Sequence, residues 1–375
     1  MNNVIRPMDW VKHLRRIVVK VGTSVLTDAE ELRVARSCVE SVAGEIAALW
    51  REGREALLVT SGAIGVGMGV LKLHKRPAEL AKLQAAAATG QGMLMQWYAA
   101  SFEKEGFHAA QILLTRADLE DHRRFLNIKA TLATLLSARI VPIINENDTV
   151  SVEEIRYGDN DVLSAHVAAL MGADLLVILS DVDRFEGSTG FPTLVTDITP
   201  EMEKAAGGSV KSVSTGGMRT KLEAAKIVMA SGIPMILVNG RHPNALVKTV
   251  IQREFSGTWF LPKKGLQLKG KQRVVAAFSG KPKGVVLVDA GAKEALVGRG
   301  SSLLASGVHG VEGHFRKGDL VSVSEVIRGA EFARGIVNYS HQELEKIKGL
   351  KSETASALLG EQAKEVIHRD SLVIL

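Results

Sequence analysis

The chain has 375 residues, 46% of them hydrophobic and 23% charged, with a formal net charge of +6. That is too long for one average domain and has an ordinary globular balance, so two domains are expected and a disordered or fibrous chain is excluded. The single cysteine, Cys38, excludes an internal disulfide, His- or Cys-rich metal spacing is absent, and no run of about 18 apolar residues marks a membrane span, so a cytoplasmic protein with no membrane association is expected.

In chain order, the first strand is "RIVVKVG", a β-branched run closing on Gly22; Leu32, Ala35, Val39, Val42, Ile46 and Leu49 then fall at helical spacing up to Gly53. "ALLVTSG", "AAQILLT", "IVPIIN", "DLLVILSD" and "IPMILVNG" read as further strands. Leu80 to Phe102, His122 to Ser137, Val162 to Met171 and Met218 to Ser231 read as helices between them. Apolar strands alternating with helices predict an α/β fold, a three-layer αβα sandwich whose mostly parallel sheet is covered on both faces. Beyond this region "PKKGLQLKGKQR", residues 262–273, reads as an exposed linker by its Pro, Gly and Lys content. Residues 261–375 carry 18 Lys and Arg against 12 Asp and Glu, while residues 1–260 balance at 29 against 29. The expected organisation is a first domain over 1–262, a basic linker over 263–274 and a second domain over 275–375.

Ligands of such a sheet gather beyond the carboxyl ends of its strands. The residues expected there are Lys20 with Gly22, Thr23 and Ser24; Thr60, Ser61 and Gly62; Asn145 to Asp148; Ser180 with Asp181; and Asn239 with Gly240. Two helix starts add to them: "GDND", residues 158–161, and "GGSVKSVSTGGMRTK", residues 207–221. Glycines before a helix N-terminus offer free N–H groups to a phosphate, and lysines on the first strand and at that helix start suit a transferring phosphoryl group. Taken singly, Lys20 also reads as a solvated strand-end lysine, "TSG" as a turn, residues 207–217 as a loop, and Asp159 or Asp161 as a helix cap. Capping needs one oxygen, however, and carboxylates crowded into a cleft need an ammonium group, Mg²⁺ or hydrogen-bond donors beside them.

Competing motifs fail. G-x-x-x-x-G-K-[ST] is absent from the chain, and "SGAIGVGMG" misses the dinucleotide fingerprint because Val70 stands where Gly65 and Gly67 require a third glycine. A G-x-S-x-G elbow is absent as well, which leaves hydrolase chemistry without support.

"VVKVGTSVLT", "VTSGAIGVG", "LLTRADLEDHRRFLN", "PIINENDTV", "YGDNDVLSA" and "STGGMRTKLEAA", in this order, resemble the glutamate 5-kinases of the amino acid kinase family. "GVVLVDAGAKEAL", "GSSLLASGV" and "GHFRKGDLVSVS" resemble their C-terminal PUA domain, a small mainly-β barrel, so the resemblance runs along essentially the whole chain. It implies ATP-dependent phosphorylation of the γ-carboxylate of L-glutamate to L-glutamyl 5-phosphate, the opening step of proline biosynthesis. By the same resemblance Lys20 and Lys221 are catalytic lysines and Asp161 orients them. Ser61, Gly62, Asn145, Asp148 and Asn160 bind the amino acid. Lys20, Ser180, Asp181, Thr215, Gly216, Gly217, Met218, Arg219, Thr220 and Lys221 bind ATP, with Mg²⁺ bridging the β- and γ-phosphates and no metal ligand assigned in the protein. It further implies feedback inhibition by proline, homo-oligomerisation as dimer or tetramer, and glutamyl phosphate reductase as the next enzyme.

One segment departs from the family pattern. Where a Gly-Leu-Tyr segment and an Asp-Pro pair are expected after "SDVD", the chain has Arg184, Phe185 and Glu186, on the adenine side of the site, so nucleotide affinity and preference are set apart from the transfer chemistry. Compared with the family pattern the chain has roughly ten extra residues before the first strand, and Met1 to Asp9 read as a disordered or crossing tail. Two alternatives stand: a related carboxylate kinase for aspartate or acetylglutamate, and an RNA-binding role for the PUA-like domain. From Lys271 onward the balance is 15 basic against 12 acidic residues, with Tyr339, Phe315 and Phe332 scattered, which favours a structural or regulatory module over an RNA binder.

Overall fold

The computed structural model describes residues 14–28, 33–150, 160–185, 194–207, 217–254, 256–263, 268, 271–277, 282–326 and 329–375. The Met1–Asp9 tail expected from the sequence lies outside them. The chain divides into two units, one of residues 1–118 and 127–266, the other of residues 119–126 and 267–375.

The first unit is built on β1 (Arg16–Val21), β2 (Glu55–Val59), β3 (His108–Leu114), β4 (Ile140–Glu146), β5 (Leu175–Ser180), β6 (Leu194–Val195), β7 (Met235–Asn239) and β8 (Thr258–Phe260). They form one sheet in the order β3-β4-β2-β1-β5-β7-β8-β6. Neighbours from β3 to β7 pair in parallel, and β8 runs antiparallel to β7. The chain moves from β1 outward to β2 on one side and later to β5 on the other, so β1 is the topological switch point, where strand connections diverge and leave a crevice at the carboxyl ends. Ile17, Val18 and Val19 of β1 and Leu175 to Ile178 of β5 are wholly buried, as continuous apolar runs in a doubly covered sheet require.

The expected helices form at Arg36–Arg51, Leu80–Lys104, His122–Ser137, Asn160–Met171 and Met218–Ala230. The helix Asn160–Met171 lies against β1, β2, β4 and β5, while Arg36–Arg51 lies against β2 and the helix Leu80–Lys104. Of the glycines of "SGAIGVGMG", Gly62 opens another helix, Ala63–Val70, and Gly65, Gly67 and Gly69 lie within it. A Cβ on Gly67 would stand 1.8 Å from the Ala86 carbonyl oxygen, and one on Gly90 would stand 1.9 Å from that of Ala63. These two glycines bring the helices Ala63–Val70 and Leu80–Lys104 to backbone contact.

Phe185, part of the departure from the family pattern, is a core residue. Its ring meets Phe260 edge-on at 6.0 Å between centroids, and its N–H donates to Thr258 Oγ1 at 2.9 Å. Arg184 beside it is exposed, and Glu186 lies outside the described residues.

The second unit contains a five-stranded sheet in the order β10-β9-β11-β12-β13, from β9 (Gly284–Val288), β10 (Val308–Gly313), β11 (Leu320–Glu325), β12 (Glu331–Ile336) and β13 (Leu372–Ile374). Val286, Val288, Val321, Val323, Leu344 and Ile367 fill its core. The helix Ala290–Arg299 is opened by Asp289, which accepts from the Ala292 N–H, and His341–Ile347 by a capping box of Ser340 and Glu343. The expected linker 263–274 runs into a helix, Lys271–Ala277, whose Val275 packs with Leu320, Ile336 and Val373; residues 264–267 and 269–270 of that segment lie outside the described residues.

Candidate active site

The hydrophobic pattern that buries β1 carries Lys20 into the interior at its carboxyl end. Lys20 and Lys221 are 5% and 6% exposed, and Asp161 is fully buried. Asp161 stands in the first turn of the helix Asn160–Met171, and Lys221 in the first turn of Met218–Ala230. The two helices pack on each other, which brings both residues to the end of β1. Asp161 Oδ1 lies 2.5 Å from Lys20 Nζ, and Oδ2 lies 3.2 Å from Lys221 Nζ and 3.0 Å from Thr220 Oγ1. The Thr220 hydroxyl is also 2.8 Å from the Gly217 carbonyl oxygen, tying the start of its helix to the cluster.

Burial pushes the Asp161 carboxyl up, and the charges of Lys20 and Lys221 with their hydrogen bonds outweigh it, so the pKa is held down to about 2. A buried carboxylate between two buried ammonium groups leaves positive charge to spare. Such a cluster is completed by an anion, and one that gains negative charge as it reacts is held most tightly. Asp161 stands inside the first turn of its helix, and its carboxylate meets both lysines.

A second cluster adjoins β2 and β4. Asn160 Nδ2 donates to the Thr60 carbonyl oxygen at 2.6 Å, to Asn145 Oδ1 at 2.9 Å and to Ser61 Oγ at 3.0 Å. Asn145 Nδ2 donates to Gln91 Oε1 at 2.7 Å, while Asn145 Oδ1 also accepts the Glu146 N–H at 2.9 Å. Thr60 Oγ1 and the Tyr98 hydroxyl share a hydrogen bond of 3.0 Å. Gly62 takes φ +101°, a left-handed turn that opens the helix Ala63–Val70 beside this cluster. Asp148 is half-buried in the turn after β4.

At the ends of β5 and β7, Ser180 is buried and donates to Asp181 Oδ1 at 3.2 Å, while Asp181 is exposed. Met218 is half-buried and Arg219 exposed at the start of their helix. Among the described residues no atom lies within 4 Å of where a Cβ on Gly217 would stand. Asp183, exposed, accepts from Asn239 Nδ2 at 2.9 Å and lies 2.8 Å from His242 Nε2. Thr215 and Gly216, with the rest of residues 208–216, and Gly158 and Asp159 lie outside the described residues.

Lys20, Asp161, Thr220 and Lys221 thus come together in one cluster, and Ser61, Asn145 and Asn160 in a second. The helix that starts at Asn160 joins them, because Asn160 and Asp161 are consecutive. Sequence reasoning missed Gln91 and Tyr98. Their signal was present: both fall on the buried stripe Leu83, Ala86, Ala87, Gly90, Leu94 and Phe102 of one helix, where an apolar residue is the default.

Among the described residues no group of three or more His, Cys, Asp or Glu is placed to hold a metal ion.

The profile of the amino acid kinase family matches residues 15–239, and that of the PUA domain matches residues 284–359. Glutamate 5-kinase of Carboxydothermus hydrogenoformans is 46% identical over 373 residues, covering 97% of this chain and 99% of that one. The glutamate 5-kinase of Caldanaerobacter subterraneus subsp. tengcongensis is 46% identical over 368 residues, covering 96% and 98%. That of Geobacter sulfurreducens is 45% identical over 370 residues, covering 96% and 98%.

Proposed function

The chain belongs to the glutamate 5-kinases of the amino acid kinase family, and we propose from that membership how its residues transfer the γ-phosphoryl group of ATP to the γ-carboxylate of L-glutamate. The product is L-glutamyl 5-phosphate, the first intermediate of proline biosynthesis. The observation that carries the assignment of roles is the buried Asp161 carboxylate between Lys20 and Lys221.

A carboxylate oxygen of glutamate attacks the γ-phosphorus, the bond from that phosphorus to the bridging oxygen breaks, and ADP leaves with the electron pair. A glutamate side chain is already ionised near neutral pH, so a general base is not required. What is required is in-line positioning and positive charge on the transferring group, because two anions meet. Lys20 and Lys221 supply that charge, one at each carboxylate oxygen of Asp161, which holds both ammonium groups in place. Mg²⁺, if bound with the nucleotide, would supply further positive charge to its phosphates, and no residue of this chain is assigned to hold it. Ser180, Asp181, Gly217, Met218, Arg219 and Thr220, with Thr215 and Gly216, hold the nucleotide. Ser61, Gly62, Asn145, Asp148 and Asn160 hold the two charged ends of the amino acid. Proline, sharing those α-amino and α-carboxylate groups, competes for the same residues and acts as the feedback inhibitor. Homo-oligomerisation and delivery of the acyl phosphate to glutamyl phosphate reductase complete the reading.

Incubating the protein with ATP, Mg²⁺ and L-glutamate in hydroxylamine tests it. The expected result is a hydroxamate from glutamate, suppressed by proline and not formed from aspartate or acetylglutamate. Turnover of another amino acid in preference to glutamate overturns it.

A further inference from the structure

We propose that Gln91 is a positioning residue that sets the hydrogen-bonding polarity with which Asn145 and Asn160 meet the amino acid substrate. The inference rests on the glutamate kinase reading above and adds to it a residue outside the two site clusters expected from the sequence.

A carboxamide has one accepting end and one donating end, and which end faces a ligand is decided by what the other end must do. The relay begins at a group without choice, the backbone carbonyl of Thr60, which only accepts. Asn160 turns its NH₂ toward it at 2.6 Å, and among the described residues this leaves Asn160 Oδ1 as a buried acceptor without a hydrogen-bond partner. The same NH₂ faces Asn145 Oδ1 at 2.9 Å, and the Glu146 N–H donates to that oxygen as well, so Asn145 in turn must present its NH₂ on the far side. There it meets Gln91 Oε1 at 2.7 Å, which leaves Gln91 Nε2 as a buried donor without a partner among the described residues.

One carbonyl thus fixes three amides in series. Reversing any one of them sets like against like: a flipped Gln91 would place its NH₂ against that of Asn145. Among the described residues the chain leaves an open acceptor on Asn160, the complement of an ammonium group such as an α-amino acid carries. Buried groups of this kind are costly to leave unpaired, which favours a ligand that satisfies them.

Gln91 is held for this task by its helix. It lies seven residues before Tyr98 on the buried face of Leu80–Lys104, and Tyr98 bonds the side chain of Thr60, whose carbonyl starts the relay. One helix therefore supports both ends of the amide chain.

The test replaces the acceptor. Gln91→Met keeps the length of the side chain and orphans the Asn145 NH₂; the KM for glutamate is expected to rise about ten- to hundredfold, with kcat lowered much less and the KM for ATP unchanged. Gln91→Glu keeps an oxygen toward Asn145 and is expected to recover most of that loss. A merely structural role would lower the melting temperature and move both KM values together. A folded Gln91→Met variant whose KM for glutamate stays within twofold of the parent overturns the proposal, and so does a Gln91→Glu variant as impaired as Gln91→Met. Should Gln91→Met not fold, a double-mutant cycle of Gln91→Glu with Asn145→Asp decides: two facing carboxylates must cost at least tenfold more in kcat/KM for glutamate than the single changes combined, and additivity overturns the proposal. Failure of the parent protein to form hydroxamate from glutamate is a different result and counts against the kinase reading itself.

Discussion

The Asp161 carboxylate and the Lys20 ammonium lie 2.5 Å apart, and neither has more than marginal contact with solvent. Removing one partner of such a pair is far more costly than the pair is worth, because the other is left charged in the interior. Asp161→Asn is expected to lower kcat by roughly 10²- to 10³-fold and stability by about 3–5 kcal/mol. Hydroxamate formation and urea unfolding measure the two effects; activity within threefold of the parent would remove Asp161 from the mechanism.

The same residue sets a pH dependence. Its folded pKa, about 2, is below the usual carboxylate value, so the stability it contributes is fully present above roughly pH 4 and is lost as pH falls toward 2. The loss is on the order of 2 kcal/mol across that window. Unfolding free energies of the parent and of Asp161→Asn should therefore converge on acidification, and parallel curves would contradict the assignment.

Lys221 Nζ lies 3.2 Å from Asp161 Oδ2, while Lys20 meets Oδ1. Lys221→Met is expected to reduce kcat about 10²-fold while the KM for glutamate changes little, because the lost charge acts on the transferring phosphoryl group. Lys221→Arg should not restore it, since a planar guanidinium is a different shape in a buried slot made for an ammonium group. Steady-state kinetics with both substrates varied separates these outcomes.

Gly67 and Gly69 offer a matched pair on one helix. A Cβ at Gly67 meets the Ala86 backbone at 1.8 Å, whereas one at Gly69 meets nothing within 4 Å. Gly67→Ala should force the helices Ala63–Val70 and Leu80–Lys104 apart, cost about 3 kcal/mol, and raise the KM for glutamate by displacing Gln91. Gly69→Ala should be neutral or stabilising by up to about 1 kcal/mol. Thermal melts of both proteins decide it; equal effects would refute the packing argument.

Glu45, buried on the helix Arg36–Arg51, accepts the N–H groups of Leu246 at 2.7 Å and Val247 at 3.2 Å. Burial pushes its carboxyl up despite these bonds, so its contribution is greatest at low pH and falls as pH rises through the unfolded value toward the folded one. Glu45→Gln keeps an accepting oxygen without the buried charge and should match or exceed the parent in stability at pH 7. Glu45→Ala, which orphans both donors, should lose about 1–3 kcal/mol. Denaturant midpoints for the two variants check the order.

Much of this protein is legible without coordinates. Continuous apolar runs such as "DLLVILS" carry their own instruction to be buried on both faces, and the helical spacing between them dictates parallel neighbours, so β1 to β5 and β7 and the residues at their ends follow from local pattern. The near-fingerprint "SGAIGVGMG" fails on spacing alone, and the lysines, carboxylates and amides of the site stand in recognisable motifs. Sequence could not say that Asp161 serves two lysines, because that depends on two helices meeting at the end of β1. Nor does it distinguish Gly67, pressed on Ala86, from Gly69, which touches nothing, or reveal that Phe185 is anchored on Phe260. Gln91 is the clearest case: its helix and its buried stripe are local facts, but the carbonyl that orients it belongs to Thr60, two amides away. Periodicity is a property of neighbours along the chain, whereas hydrogen-bond polarity and steric fit are settled between atoms that only the packed fold brings together.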